Sequence, residues 1–197
     1  MLSQKEQFLK RFIDLFGAAV GIIIFSPVMV LAALITKCTS NGPVFYLQER
    51  IGINGRSFKI IKFRSMVKDA EMYGPQLSSV KDQRVTTWGK VMRRWRIDEL
   101  PQLFNILSGE MSIVGPRPER SYYVNQLISV HPEYSKLLNV KPGLTSLGMI
   151  KFGYAENIDQ MVTRMKYDLS YVNSISLSND IKIMLLSFGL ILSGKGR

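Results

Sequence analysis

The stretch LFGAAVGIIIFSPVMVLAALIT, residues 15–36, decides how the chain is built. Its 22 residues carry no charge, and about 20 apolar residues suffice to cross a bilayer. Ser26-Pro27 falls near the middle. Proline removes one helical hydrogen bond and crowds the preceding turn. Inside lipid the freed carbonyl needs another donor, and Ser26 is placed to supply it. A helix broken here has two short arms, ~16 Å for residues 15–25 and ~14 Å for residues 28–36. Neither spans a hydrocarbon core of roughly 30 Å, so a helix–break–helix would dip into one leaflet and return. A proline-kinked helix that crosses is the other outcome. The flanks do not decide, because Lys10 and Arg11 precede the stretch and Lys37 follows it. A cleaved signal peptide fits poorly, since the run is long and no small-residue cleavage site follows.

The remainder is long enough for one compact domain with its own core. The chain has 197 residues, 46% of them hydrophobic and 10% aromatic, which excludes a disordered chain. A net charge of +11 implies a polyanionic partner: nucleic acid, an anionic membrane surface or a phosphorylated substrate. The single cysteine, Cys38, excludes an intrachain disulfide and fits a reducing compartment. With one Cys and one His, no Cys/His metal cluster can form; any metal must be a hard cation held by carboxylate and phosphate oxygens. The histidine, His131, has no nucleophile–base partner nearby in sequence and reads as a loop residue.

Chemistry concentrates in residues 94–118, RWRIDELPQLFNILSGEMSIVGPRP. Arginines 93, 94 and 96 lead into two adjacent carboxylates, Asp98 and Glu99. An amphipathic run with helical spacing follows (Leu100, Leu103, Phe104, Ile106, Leu107). Gly115-Pro116-Arg117-Pro118 then forms a stiff turn carrying one cation. Asp98 occupies a helix N-cap position, and Pro101 falls in the first turn, where a missing N–H costs little. A helix N-terminus favours phosphate and, with the arginines, an ionised Asp98. An ionised carboxylate facing a phosphate site can attack phosphorus and form an acyl phosphate. Glu99 points elsewhere and could take or give a proton. The plainer role for such a pair is to cap a helix and complement its dipole.

Around this stretch, residues 44–46 and 58–63 read as strands of a β-hairpin joined by a glycine-rich loop that lacks Walker or dinucleotide spacing. Lys62 and Arg64 alternate with Ile61, Phe63 and Ser65, giving one charged strand face. Residues 68–83 read as a helix end and a loop. Residues 119–130 and 132–140 read as two helices. Residues 158–172 form an amphipathic helix with Met161 and Met165 inward and Arg164 and Lys166 outward. Asp168 takes a structural role. Asp180 is placed to cap a last, mostly apolar helix over 181–192, too short to span and suited to the membrane interface, with Lys195 and Arg197 after it.

RIDELPQLFNILSGEMSIVGPRP resembles the signature of the bacterial sugar transferase family, the monotopic phosphoglycosyl transferases. KFRSM at 62–66 and KPGLT at 141–145 resemble its other motifs, in the same order, and the likeness covers nearly the whole chain. The resemblance implies an α+β, mostly helical fold. A re-entrant membrane anchor would occupy residues 1–40, with Ser26-Pro27 at the bend and Asp14 at the interface. One catalytic unit with a short β-hairpin and interfacial helices would occupy residues 41–197, on the cytoplasmic face of the bacterial inner membrane. It further implies transfer of a sugar-1-phosphate from a UDP-sugar to polyprenol (undecaprenyl) phosphate. Asp98 would be the nucleophile and Glu99 its assistant, Mg²⁺ would sit near Asp98, and UMP would leave. Lys62, Arg64, Arg93 and Arg117 would contact substrate, with Arg93 near the embedded helix or the acceptor phosphate. Residues 146–154 depart from the common family pattern, which has Gly-Trp after this turn and a closing Arg; here Ser146-Leu147 and Lys151-Phe152-Gly153-Tyr154 stand instead. That leaves the sugar open. Many relatives carry further membrane helices ahead of this core, so the native start is open too, as is a homo-oligomer. The competing function is a membrane-anchored basic module that binds anionic lipid or nucleic acid without catalysis. Against it, the cations are scattered and no nucleic-acid-binding motif appears.

Overall fold

A computed structural model describes residues 2–72, 74–79 and 82–194. It is mostly helical, with two small two-stranded sheets. The long helix α1 (Gln4–Thr39) opens on a capping box, in which the Ser3 N–H donates to Glu6 Oε2 at 2.8 Å. It runs unbroken through Pro27. The expected break at Ser26-Pro27 is therefore corrected: helical bonding continues on both sides. The reason lies in the serine. Pro27 cannot donate to the carbonyl of Ile23, and the Ser26 hydroxyl donates to that same carbonyl at 2.8 Å.

One stripe of α1 docks on the rest of the protein. Near its start, Lys10 pairs with Asp180 at 2.6 Å, and Arg11 donates to Ile106 O at 2.8 Å and Leu107 O at 3.1 Å. Asp14 is buried rather than at an interface. It accepts from Ser112 Oγ at 3.0 Å and the Ile113 N–H at 2.9 Å. Gly17, Ala18 and Gly21 then allow close approach to Ile113 and Leu103. Residues 23–28 are exposed. Contact resumes at Met29 and Ala32, which pack with Phe63 and Met92, and ends at Thr36, which accepts from Trp88 Nε1 at 3.2 Å. The outward surface of α1 over residues 12–34 is apolar apart from Ser26, with a mean hydropathy of 2.6 over its most apolar window, and by length and composition the helix can cross a membrane.

Strands β1 (Phe45–Ile51) and β2 (Ser57–Phe63) form the antiparallel hairpin, with Phe45 opposite Phe63 and Ile51 opposite Ser57. Helices α2 (Thr87–Arg94) and α3 (Gln102–Ser108) flank a 3₁₀ turn, Ile97–Glu99. Strand β3 (Ser112–Val114) pairs parallel with β4 (Gly143–Thr145). The two motifs at their ends interlock: a Cβ on Gly143 would lie 2.1 Å from the Gly115 nitrogen, so no side chain fits there.

After α4 (Ser121–Val130), the expected second helix is instead a 3₁₀ segment, Pro132–Asn139, which starts at a proline after His131 closes α4. Residues 68–83 form turns without a helix among those described, gathered by Arg84 on Asp82 and Gln76. Short α5 (Leu147–Lys151) leads to α6 (Ile158–Asn173) and α7 (Leu177–Leu192). Met161, Met165 and Leu169 of α6 enter the core as their spacing predicts, and Lys166 is exposed. Arg164 corrects its expected outward placement: it is buried and ion-paired with Glu119. Asp180 is not the cap of α7, which Ser176 provides; it is buried between Lys10 and the Tyr171 hydroxyl. Leu185, Phe188 and Leu192 leave one side of α7 apolar and exposed. Lys195 and Arg197 lie outside the described residues.

Asp14→Ala strips the acceptor from the buried Ser112 hydroxyl and the part-buried Ile113 N–H, and an orphaned buried donor costs about 1–3 kcal/mol. Thermal unfolding in detergent should fall by several degrees, and Asp14→Asn, which keeps one acceptor oxygen, should fall less.

Candidate active site

Asp98 and Glu99 lie in the 3₁₀ turn Ile97–Glu99, entered through Arg96 in the left-handed region at φ 54°. The N-cap expected at Asp98 is corrected by this geometry, since α3 begins only at Gln102 and Pro101 takes the cap position. Both carboxylates are buried, at 8% and 3% exposure. Glu99 is the anchored one. Its Oε1 accepts from Lys62 Nζ at 2.8 Å and Arg117 Nη2 at 3.3 Å, and its Oε2 from Arg96 Nη1 at 3.2 Å. Asp98 makes no hydrogen bond or ion pair among the described residues and faces a cavity of about 240 Å³.

That cavity is where the residues singled out from the sequence meet. Lys62 reaches it from the end of β2 and Arg117 from the Gly-Pro-Arg-Pro turn. The Arg117 backbone N–H donates to Asp168 Oδ2 at 3.4 Å, and Asp168 also accepts from Gly148 N at 2.8 Å. Arg93 lines it from α2, donating to Ser65 Oγ at 2.9 Å and Ser78 Oγ at 2.8 Å. Arg64 lines it beside the end of α1, donating to Ser40 O at 2.7 Å. Ser26 and Pro27 stay outside, on the exposed part of α1. Among the described residues, the cavity lining carries eight lysine and arginine side chains against four carboxylates.

A family model described as bacterial sugar transferase matches residues 5–194. The chain belongs to the bacterial sugar transferase family. It is 41% identical over 189 residues to a UDP-N-acetylgalactosamine-undecaprenyl-phosphate N-acetylgalactosaminephosphotransferase of Aeromonas hydrophila, covering 96% of this chain and 45% of that protein. It is 38% identical over 180 residues to a UDP-glucose:undecaprenyl-phosphate glucose-1-phosphate transferase of Caulobacter vibrioides, covering 89% of this chain and 67% of that protein. It is also 38% identical over 199 residues to galactosyl transferase CpsE of Streptococcus agalactiae, covering 95% of this chain and 43% of that protein. The chain thus spans less than half the length of two of these relatives, and their names carry three different sugars.

In this family member the two carboxylates are held in opposite electrostatic states. Burial raises the pKa of Asp98, and the neighbouring charge of Glu99 adds to that; Lys62, Arg93 and Arg96 pull the other way without cancelling it. Burial also opposes ionisation of Glu99, yet Lys62, Arg117 and Arg96 outweigh it and hold Glu99 well below the usual carboxylate range. Glu99 therefore carries the fixed negative charge, and Asp98 sits above the ordinary aspartate range. This corrects the expectation that the surroundings simply favour an ionised Asp98. Burial pushes Asp168 up to about 6, against its backbone hydrogen bond from Gly148 and the charge of Arg164.

The donor set bears on Mg²⁺. Among the described residues no group of three His, Cys, Asp or Glu side chains could hold a metal ion. Both Glu99 oxygens are occupied by cations, which leaves Asp98 as the available carboxylate. One carboxylate does not make a resident site, but it fits a Mg²⁺ that arrives with phosphate oxygens of a substrate.

Sequence reasoning missed much of the cavity wall. Arg50 and Arg164 share Glu119, which directly follows the Gly-Pro-Arg-Pro turn, and Arg120 pairs with Glu71 at 2.6 Å. Tyr154 packs its ring near Arg96 and Arg117, at 5.7 and 5.3 Å. The signal the sequence offered was the departure of residues 146–154 from the common family pattern, a segment that Tyr154 closes.

Glu99→Gln removes a charge that raises Asp98 and turns three cations toward it, so the Asp98 pKa should fall. NMR of ¹³C-carboxyl-labelled aspartate, with the signal assigned by Asp98→Asn, should show Asp98 titrating above ~3.9 in the native chain and lower in Glu99→Gln.

Proposed function

We propose that this chain transfers a sugar-1-phosphate from a UDP-sugar to polyprenol phosphate, the membrane-committing step of bacterial surface glycan assembly. The observation that carries this reading is Asp98, a buried carboxylate without a partner among the described residues, facing a cation-lined cavity beside the fully engaged Glu99. In the first step an Asp98 oxygen attacks the sugar-proximal phosphorus. The bridging P–O bond breaks and UMP leaves with the electron pair. In the second step an oxygen of the polyprenol phosphate attacks the same phosphorus, which releases the Asp98 carboxylate and yields polyprenol diphospho-sugar.

The chain's own groups support each step. Lys62 and Arg117 face charge that builds on the phosphoryl oxygens, and burial strengthens their effect. The occupied oxygens of Glu99 favour a role in positioning these cations over proton transfer. Asp98 is the residue that would hold a Mg²⁺, and the ion would supply charge to offset that of the donor's phosphates. A purely charge-driven lipid or nucleic-acid binder would carry such cations on its surface; here many line a cavity in ion pairs.

The anchor fits an acceptor that cannot leave lipid. Both ends of α1 dock on the same globular unit, through Lys10 and Asp14 at one end and Thr36 and Ser40 at the other. If α1 crossed a hydrocarbon core of roughly 30 Å, one unit on one face could not reach both ends. We therefore read α1 as re-entrant, bending at Pro27 while its helical bonding continues. Residues 23–28 lie deepest, and residues 41–197 form the catalytic unit on the cytoplasmic face.

Asp98→Asn should abolish UMP release from a panel of UDP-sugars in nanodiscs with Mg²⁺. The native chain without acceptor should gain a phospho-sugar in its intact mass; UMP release only when acceptor is present would overturn the covalent route. Impermeant maleimide should label the exposed Cys38, and a Lys5→Cys probe in a Cys38→Ser background, from the same membrane face. Labelling from opposite faces would rule out the re-entrant anchor.

A further inference from the structure

Arg64 stands apart from the other arginines of the cavity. Its side chain is more than nine-tenths buried, yet Nε and Nη1 have no hydrogen-bond partner. Only Nη2 is engaged, on the Ser40 carbonyl just past the end of α1. Among the described residues, Arg50, Arg117, Arg120 and Arg164 each have a carboxylate in ion-pair range, whereas Arg64 and Arg93 have none. A buried guanidinium with unused donors is costly unless something anionic completes it.

Position identifies the anion. Arg64 ends the hairpin where the chain turns back from α1, and its guanidinium lies against Gly42, just beyond the Ser40 cap. It bridges the cavity and the apolar helix. Arg120 and Arg164 enter the cavity from the start of α4 and from α6, whereas α1 packs on α2, α3, β2 and β3. A soluble nucleotide can approach from any open side. A phosphate tethered to a lipid tail must arrive along the helix that sits in lipid.

Charge points the same way. A phosphomonoester carries close to two negative charges at neutral pH. A diphosphate diester has a similar charge but can share it with Mg²⁺, and the ion-paired arginines already have part of theirs neutralised. The uncompensated cation at the lipid-facing end suits the monoester. Resting on the transferase reading above, we propose that Arg64 is the docking residue for the phosphate of the lipid-linked acceptor, and that the donor's phosphates lie toward Arg117 and Arg120.

Two affinities test this without turnover. Farnesyl phosphate serves as a short acceptor probe and UMP as the nucleotide probe, each titrated against the full chain in detergent. Arg64→Gln should weaken farnesyl phosphate about tenfold or more, in line with loss of a charge-assisted hydrogen bond, and by a much larger factor than it weakens UMP. Arg120→Gln should show the reverse ranking. Inorganic phosphate should displace farnesyl phosphate from the native chain and lose that ability in Arg64→Gln, which separates headgroup from tail binding. If Arg64→Gln does not fold, Arg64→Lys keeps the charge while losing the planar donor set, and should show the same ranking with a smaller loss. Equal losses for both probes, or a larger loss for UMP, would overturn the assignment. A native chain that releases no UMP from any UDP-sugar would instead defeat the transferase reading, while the ratio of affinities would still decide Arg64.

Discussion

Glu99 gathers Lys62, Arg96 and Arg117 into one buried ion cluster, and three separate parts of the chain depend on it. Lys62 brings the hairpin, Arg96 the left-handed residue that sets the 3₁₀ turn, and Arg117 the turn after β3. Removing one partner from a buried ion pair typically costs 3–5 kcal/mol, because the other charge is left uncompensated. With three cations on one carboxylate the position is more demanding still. The same cluster sorts the two carboxylates: Glu99 is spent on the cations, and Asp98 lines the cavity without a hydrogen bond or ion pair among the described residues.

The long apolar helix and the cavity are built as one object. The polar groups of α1 that face the globular unit, Lys10, Arg11, Asp14 and Thr36, all find partners there, while its apolar groups largely face outward. This inverts the usual surface helix, whose apolar stripe faces the core. An outward surface this apolar suits lipid as the outer solvent. The cavity is also tied to the end of this helix, since Arg64 donates to the Ser40 carbonyl just past it.

Much of this was legible in the sequence because local rules carried it. The hairpin, α6 and the core methionines followed from periodicity and turn residues, and Ser26 as the donor for the carbonyl freed by Pro27 followed from helix geometry alone. The candidate site residues Lys62, Arg64, Arg93, Asp98, Glu99 and Arg117 were found through short motifs, and they line one cavity. What stayed hidden was set by distant partners. Arg164 looks outward on a helical wheel until Glu119 draws it in, and Asp14 and Asp180 look like interface or cap residues until Ile113 and Lys10 bury them. Asp98 misled for another reason: Arg96 adopts a positive φ, which nothing in a non-glycine residue announces, and it delays the helix by several positions.

Asn105 closes the outer edge of the hairpin. Its Oδ1 accepts from the Ile61 N–H at 3.0 Å and its Nδ2 donates to Lys59 O at 2.8 Å, so one amide side chain occupies the groups that a third strand would use. Open strand edges invite pairing with other chains. The cover lies 44 residues further along the sequence than the strand it protects. During synthesis, β2 therefore leaves the ribosome with an open edge well before its cover exists, so the nascent chain is the form most exposed to pairing with another copy.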